Sequence, residues 1–294
     1  MSSFFRKTEH LGKADKETFM LRNGKVFLEK LFRSCDNKRN PIRCFRENEL
    51  KIATKNYDRQ KVITTGLGYE LFEGVLHDYP VSIMKFVNSD YAAEFCFNNF
   101  VFASQMNHKN VMTLIGCCLE TENPVLVFEN VEYGTLADRI YHARQPNFEP
   151  VTWTLRLKIA MEIAYGIAYL HVGFSRPIFF RNVKPSNILF QEQSVAKLFD
   201  FSCSVSIPDG ETRIRGWVVG TFGYLPLNTL QQRAVDRETE DECVLSDRVR
   251  KFLSLTCVCI DPVAADSHCL YFNAFSLSSG HMAANHWVCM LHNP

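Results

Sequence analysis

Between Pro177 and Ser202 the chain reads PIFFRNVKPSNILFQEQSVAKLFDFS, and this stretch holds the residues best suited to chemistry. Asn187 and Asp200 both present oxygen, the ligand type that a hard cation such as magnesium prefers. Asn182 stands five residues before Asn187, with Lys184 between them. An amide nitrogen has no basic lone pair, so Asn182 cannot take a proton from a hydroxyl. The set offers a cation seat without a general base. Its pattern reads as a short strand, a tight loop, two strands and a second loop opening at Asp200.

This frame resembles the catalytic loop of the eukaryotic protein kinase family, H-R-D-x-x-x-x-N followed by D-F-G. The corresponding residues here are Phe180, Arg181 and Asn182, then Lys184 and Asn187, then Asp200, Phe201 and Ser202. In that family the loop aspartate accepts the substrate proton, while the asparagine and the D-F-G aspartate hold magnesium. The resemblance implies that Asn187 and Asp200 would hold magnesium if nucleotide binds, and that the base is lost at Asn182. Phe180, in place of histidine, is expected to stack on Phe201. Ser202, in place of glycine, disfavours positive φ and should restrict movement of Phe201.

The upstream motifs are degraded in the same direction. Aligning LFEGVL with the family's V-Y-K-G-x-L puts Thr64, Gly66 and Tyr69 at the three glycine positions of the phosphate loop, so only Gly66 survives. Tyr69 would push a phenol ring toward the phosphates. VSIMKF aligns with V-A-I-K and places Met84 at the lysine; strand alternation turns Lys85 to the opposite face unless a bulge brings it back. Asn99 falls at the partner glutamate. Losing both members of a buried ion pair is coherent, because one left alone costs several kcal/mol. Phe128 takes the gatekeeper place, and Glu129 to Val131 the hinge that offers backbone groups to adenine. The nucleotide contacts the resemblance implies are Gly66, Lys85, Glu129 and Val131. No cofactor is required, and Mg-ATP is expected to bind weakly if it binds.

These motifs need a bilobal α+β, protein-kinase-like frame, with a small β-rich N-lobe and a helical C-lobe. The expected divisions are an N-terminal extension (1–55), an N-lobe (56–128), the hinge and a partial C-lobe (129–230), and a divergent remnant (231–294). The extension reads as a polar, solvated arm whose KVFLEKLF segment sets Val26, Phe27, Leu31 and Leu28 on one helical face. Val151 to His171 is the strongest helix, with Leu155, Ile159, Ile163, Ile167 and Leu170 at core spacing. GTFGYL, with Thr221 in register, matches the family's substrate-side segment, but Pro226, Leu227 and Asn228 follow where its anchoring glutamate belongs. Beyond Thr229 the C-lobe reads as truncated: the family's central helix is not found, and residues 247–267 resemble a later one. His281, His286, Cys289 and His292 have spacing suggestive of zinc but no paired cysteines upstream, so a divergent tail is favoured.

A net charge of +1 argues against nucleic acid or an anionic membrane surface as the main partner. Eleven cysteines, odd in number and without a C-x-x-C pair, fit buried thiols in a reducing compartment. No apolar run reaches the ~18 residues of a membrane span. The expected location is cytoplasmic, with peripheral association at the plasma membrane through partners. The N-terminal segments are similar to those of the ZRK group of plant receptor-like cytoplasmic kinases, with wall-associated-kinase-like kinase domains. That likeness implies a catalytically impaired immune adaptor. It would bind the leucine-rich repeats of a coiled-coil NLR receptor, and other receptor-like cytoplasmic kinases. A residual serine/threonine kinase and a non-functional truncated product are the alternatives.

Overall fold

The computed structural model describes residues 13–34, 42–87, 91–141 and 151–208, with short pieces at 213–215, 220–221, 224 and 234–236. Its sheet-rich half carries six strands in the order β1-β5-β6-β4-β3-β2: β1 Arg43–Cys44, β2 Val62–Gly66, β3 Tyr69–Leu76, β4 Tyr79–Phe86, β5 Leu114–Cys118 and β6 Val125–Phe128. β3 and β4 pair without a break from Tyr69 opposite Phe86 to Leu76 opposite Tyr79. His77 and Asp78 close that hairpin with φ of 52° and 67°, the left-handed pair that a two-residue turn needs to match strand twist.

Alternation gives the sheet two buried faces. Leu71, Met84, Phe86, Leu126 and Phe128 join the main core, while Val81, Ile83, Val125 and Val127 join a second. The first faces helix α3 (Ala92–Ala103), whose Phe97, Phe100 and Val101 are buried. The second is covered by Phe45 and by Leu50 and Ala53 of α2 (Glu47–Ala53).

The N-terminal segment differs from the expected solvated arm. Helix α1 (Lys13–Ser34) docks on α3, with the Phe27 ring stacked on Phe100 at 3.7 Å and edge-on to Phe97. Asn23 donates to the Leu119 and Thr121 carbonyls, and Lys16 meets Glu47, which also pairs with Lys51. Leu28, expected on the packed face, is exposed.

The helical half is built on α4 (Leu136–Tyr141) and α5 (Trp153–Val172). The Thr152 hydroxyl caps α5 by accepting the Leu155 amide. Ile159, Ile163, Ile167 and Leu170 are buried, and Gly166 lets Leu198 and the Asn110 carbonyl approach closely. Strand β7 (Ile178–Phe179), the hairpin of β8 (Ile188–Glu192) and β9 (Val195–Leu198), and β10 (Val205–Ser206) carry the polar loops. β11 (Arg213–Arg215) pairs with β12 (Ala234–Asp236). His171 sits against the Phe179 ring, as a packed helix-end histidine. The stretch expected to lack the family's central helix, residues 247–267 and the histidine-rich tail lie outside the described residues.

Candidate functional site

The cleft begins at the strand that alternation made two-faced. Met84 points inward and is fully buried; Lys85 is exposed on the other face, opposite Glu70 and 4.2 Å from the Tyr57 ring. With β3 and β4 in continuous register, no bulge turns Lys85 back toward Gly66 and Asp200.

At the hinge end, the Ser82 hydroxyl accepts the Val131 amide at 3.0 Å, both residues being buried. Ser82 follows the same alternation as Met84 and so faces inward. The backbone donor expected to meet adenine therefore already has a partner. Glu129 turns its side chain away: Oε1 accepts the Thr113 amide at 2.8 Å and pairs with Lys197 at 2.9 Å. Phe128 meets Phe199 edge-on at 5.1 Å, and Phe199 meets Tyr69 at 6.0 Å.

At the phosphate end, Tyr69 is 2% exposed, and its ring lies directly over Gly66. A Cβ on Gly66 would sit 2.1 Å from that ring, so the surviving glycine gives room to a tyrosine of the chain itself. Asn99 donates to Asp200 Oδ1 at 3.2 Å and to Ser202 Oγ at 3.1 Å, with a longer contact to Met84 Sδ at 3.7 Å. The Ser202 amide donates to the same Asp200 oxygen at 3.2 Å. Asp200 Oδ2, Asn99 Oδ1 and the Tyr69 hydroxyl are buried without hydrogen-bond partners. The hydroxyl faces Asp200 without reaching hydrogen-bond geometry. Burial pushes the Asp200 carboxyl above its ordinary value, against the opposing pull of Ser202 and the Lys184 charge. Burial likewise drives the Tyr69 phenol well up.

The loop following Asp200 is tied to α3 by Asn98, whose Nδ2 lies 3.2, 2.7 and 2.9 Å from the carbonyls of Phe201, Ser202 and Ser204. Phe180 meets Phe201 edge-on at 5.2 Å, the ring contact predicted for that pair. Asn182 is 1% exposed, and its Oδ1 accepts the Thr221 hydroxyl at 2.8 Å. Asn187 Nδ2 donates to the Asn182 carbonyl at 2.9 Å, which fixes the loop and orients the remaining amide oxygen.

Asn182 is thus joined to Asn187, and Asp200 to Asn99 beside Met84, while Lys85 lies on the opposite face of the sheet and the Glu129 side chain pairs with Lys197. These residues do not fit a tightly held Mg-ATP. Tyr69 occupies the phosphate end, the ammonium is absent from the inner face, and the Val131 donor is taken. Among the described residues no cluster of three or more His, Cys, Asp or Glu has metal-binding geometry. The resemblance alone found neither Ser82 nor Asn98. Ser82 had a signal, a hydroxyl on the inward face of VSIM; Asn98 had none, because its partners lie more than 100 residues away.

Residues 81–241 match the protein kinase domain model. The chain is 36% identical over 214 residues to the Arabidopsis thaliana protein named serine/threonine-protein kinase ZRK1, covering 70% of this chain and 61% of that one. It is 37% identical over 212 residues to the A. thaliana protein named non-functional pseudokinase ZED1 (71% and 63%). With wall-associated receptor kinase-like 6 of the same plant it shares 38% over 212 residues (71% and 33%). The chain spans about three fifths of the first two and a third of the last.

Proposed function

The chain belongs to the protein kinase family, in its ZRK and wall-associated-kinase-like branch, and from that premise we propose that it is a pseudokinase serving as a protein-binding adaptor. The observation that carries this reading is the setting of Asp200. A family member that transfers phosphate surrounds this carboxylate with magnesium, nucleotide and a lysine–glutamate pair. Here the side chains against it, Asn99, Ser202 and Tyr69, are neutral, and the charge that acts on it is that of Lys184 in the loop. Phosphoryl transfer depends on positioning and charge stabilisation rather than covalent chemistry by the protein, so losing both removes most of the rate. The lost base at Asn182 removes on the order of 10² to 10⁴ more.

What remains is a rigid frame with its cleft filled from within. In an adaptor the outer surface carries the function. The names of ZED1 and ZRK2, both called non-functional pseudokinases, support the impaired reading. The ZRK likeness supports the finer one: a cytoplasmic adaptor in plant immune signalling that binds the leucine-rich repeats of a coiled-coil NLR receptor. It would also bind other receptor-like cytoplasmic kinases, and reach the plasma membrane through such partners. No helix among the described residues is long and apolar enough to cross a membrane.

The test pairs two assays on the purified chain. One measures binding to an isolated NLR leucine-rich-repeat domain, the other transfer of labelled phosphate from Mg-ATP. Binding without transfer is expected. Transfer that disappears in Asp200→Ala would instead identify a residual serine/threonine kinase.

A further inference from the structure

Two cysteines outside the cleft stand opposite each other where the N-terminal extension joins the sheet. β1 runs parallel to β5 at the sheet's open edge, with Cys44 in register with Cys117 and the Phe45 amide donating to the Cys117 carbonyl at 2.9 Å. Gly116 makes this approach feasible. A Cβ there would fall 2.3 Å from the Arg43 carbonyl oxygen and 2.5 Å from the Phe45 ring. Phe45 packs into the core beneath α2, so alternation turns Cys44 to the other face, where Cys117 joins the main core. Cys44 is exposed and Cys117 buried. Neighbouring strands lie about 4.8 Å apart, within the ~4.4–6.8 Å separation of Cα atoms that a disulfide spans. From that spacing the Cβ atoms must close by about 1 Å to reach the ~3.8 Å of a disulfide, a movement asked of a two-residue edge strand.

We propose that Cys44 and Cys117 are a peroxide-sensitive dithiol whose disulfide staples the N-terminal extension to the sheet. The Cys44 sulfur attacks one oxygen of hydrogen peroxide, forming an S–O bond as the O–O bond breaks and water leaves. Cys117, giving up its proton, then attacks that sulfur; the S–S bond forms, the S–O bond breaks, and a second water departs. Two thiols lose two electrons, and the peroxide gains them. The roles follow exposure: Cys44 can meet peroxide, whereas Cys117 is buried beside it as the resolving thiol. A hydrogen bond from Cys117 lowers the pKa of the Cys44 thiol, and the same pairing with burial raises that of Cys117, so the proton is held by the buried resolving thiol. The resulting bridge closes a long loop, the case in which a cross-link restrains the unfolded chain most.

The experiment treats the reduced, full-length chain with stoichiometric hydrogen peroxide, then maps non-reduced digests by mass spectrometry and follows melting. The expected result is a Cys44–Cys117 cross-link with loss of two hydrogens. Melting should rise by about 5 °C or more and be reversed by dithiothreitol. Cys44→Ser, at an exposed site, should abolish both changes, and Cys118→Ser should preserve them. Cys44 advancing to sulfinic acid without a cross-link, pairing of Cys44 with another cysteine, or a cross-link that leaves melting unmoved would each overturn the proposal.

Discussion

The side-chain amide of Asn99 donates to Asp200 Oδ1 at 3.2 Å, so the carboxylate is held by a neutral neighbour on α3. Asn99 stands at the family's glutamate position and Met84 at the lysine that glutamate would pair with. Replacing both with uncharged residues leaves no orphan charge in the core, but it leaves Asp200 with imperfect compensation. Its second oxygen is buried without a partner.

Asp200→Asn should therefore raise stability at neutral pH, by about 1–3 kcal/mol on the scale of a buried, poorly satisfied charged group. The folded state raises this carboxyl's pKa, so its proton is bound more tightly in the folded chain than in the unfolded one. The wild type is thus penalised as pH rises through the folded-state value. The variant's advantage should shrink on acidification and vanish below the ordinary carboxylate range. Chemical denaturation of both proteins at neutral and acid pH checks this.

Ser82→Ala removes the acceptor of the buried Val131 amide. The expected loss is about 1–3 kcal/mol, the cost of an unsatisfied buried donor. Adenosine, whose ring can accept from that amide, should recover part of the loss in the variant while leaving wild-type melting unchanged.

Glu47 is 5% exposed and contacts Lys16 of α1 and Lys51 of α2, both at 2.6 Å. Burial pushes this carboxyl up, but the two ammonium groups outweigh that and hold it below its ordinary value. Its contribution is present above the unfolded-state value and lost as pH falls through the folded one. Glu47→Gln should cost on the order of 1 kcal/mol at neutral pH and progressively less in acid, read by denaturant titration.

Phe27→Ala removes a ring stacked on Phe100 and edge-on to Phe97. A loss of about 3–5 kcal/mol is typical for such a truncation in a core. Hydrogen exchange should show it mainly as lost protection across α1, with the β3–β4 hairpin protected as before.

Much of the site was legible because alternation and motif register are local. Met84 inward, Lys85 outward and Phe180 against Phe201 follow from the order of residues on a strand or in a loop. The docking of residues 13–34 was not legible, since Phe27 and Asn23 find their partners about 70 to 100 residues away. A polar helix carrying one aromatic anchor reads as a solvated arm. Tyr69 was placed in the phosphate region from sequence, but the ring folding over Gly66 needs the β2–β3 turn in three dimensions.

The most direct test is melting of the reduced chain with and without millimolar Mg-ATP. With Tyr69 over Gly66 and Ser82 on the Val131 amide, the transition should be cooperative and unmoved by nucleotide. A ligand present at about 100 times its dissociation constant would stabilise by about 2.7 kcal/mol. An upward shift of that size would contradict the internally filled cleft on which the pseudokinase reading rests.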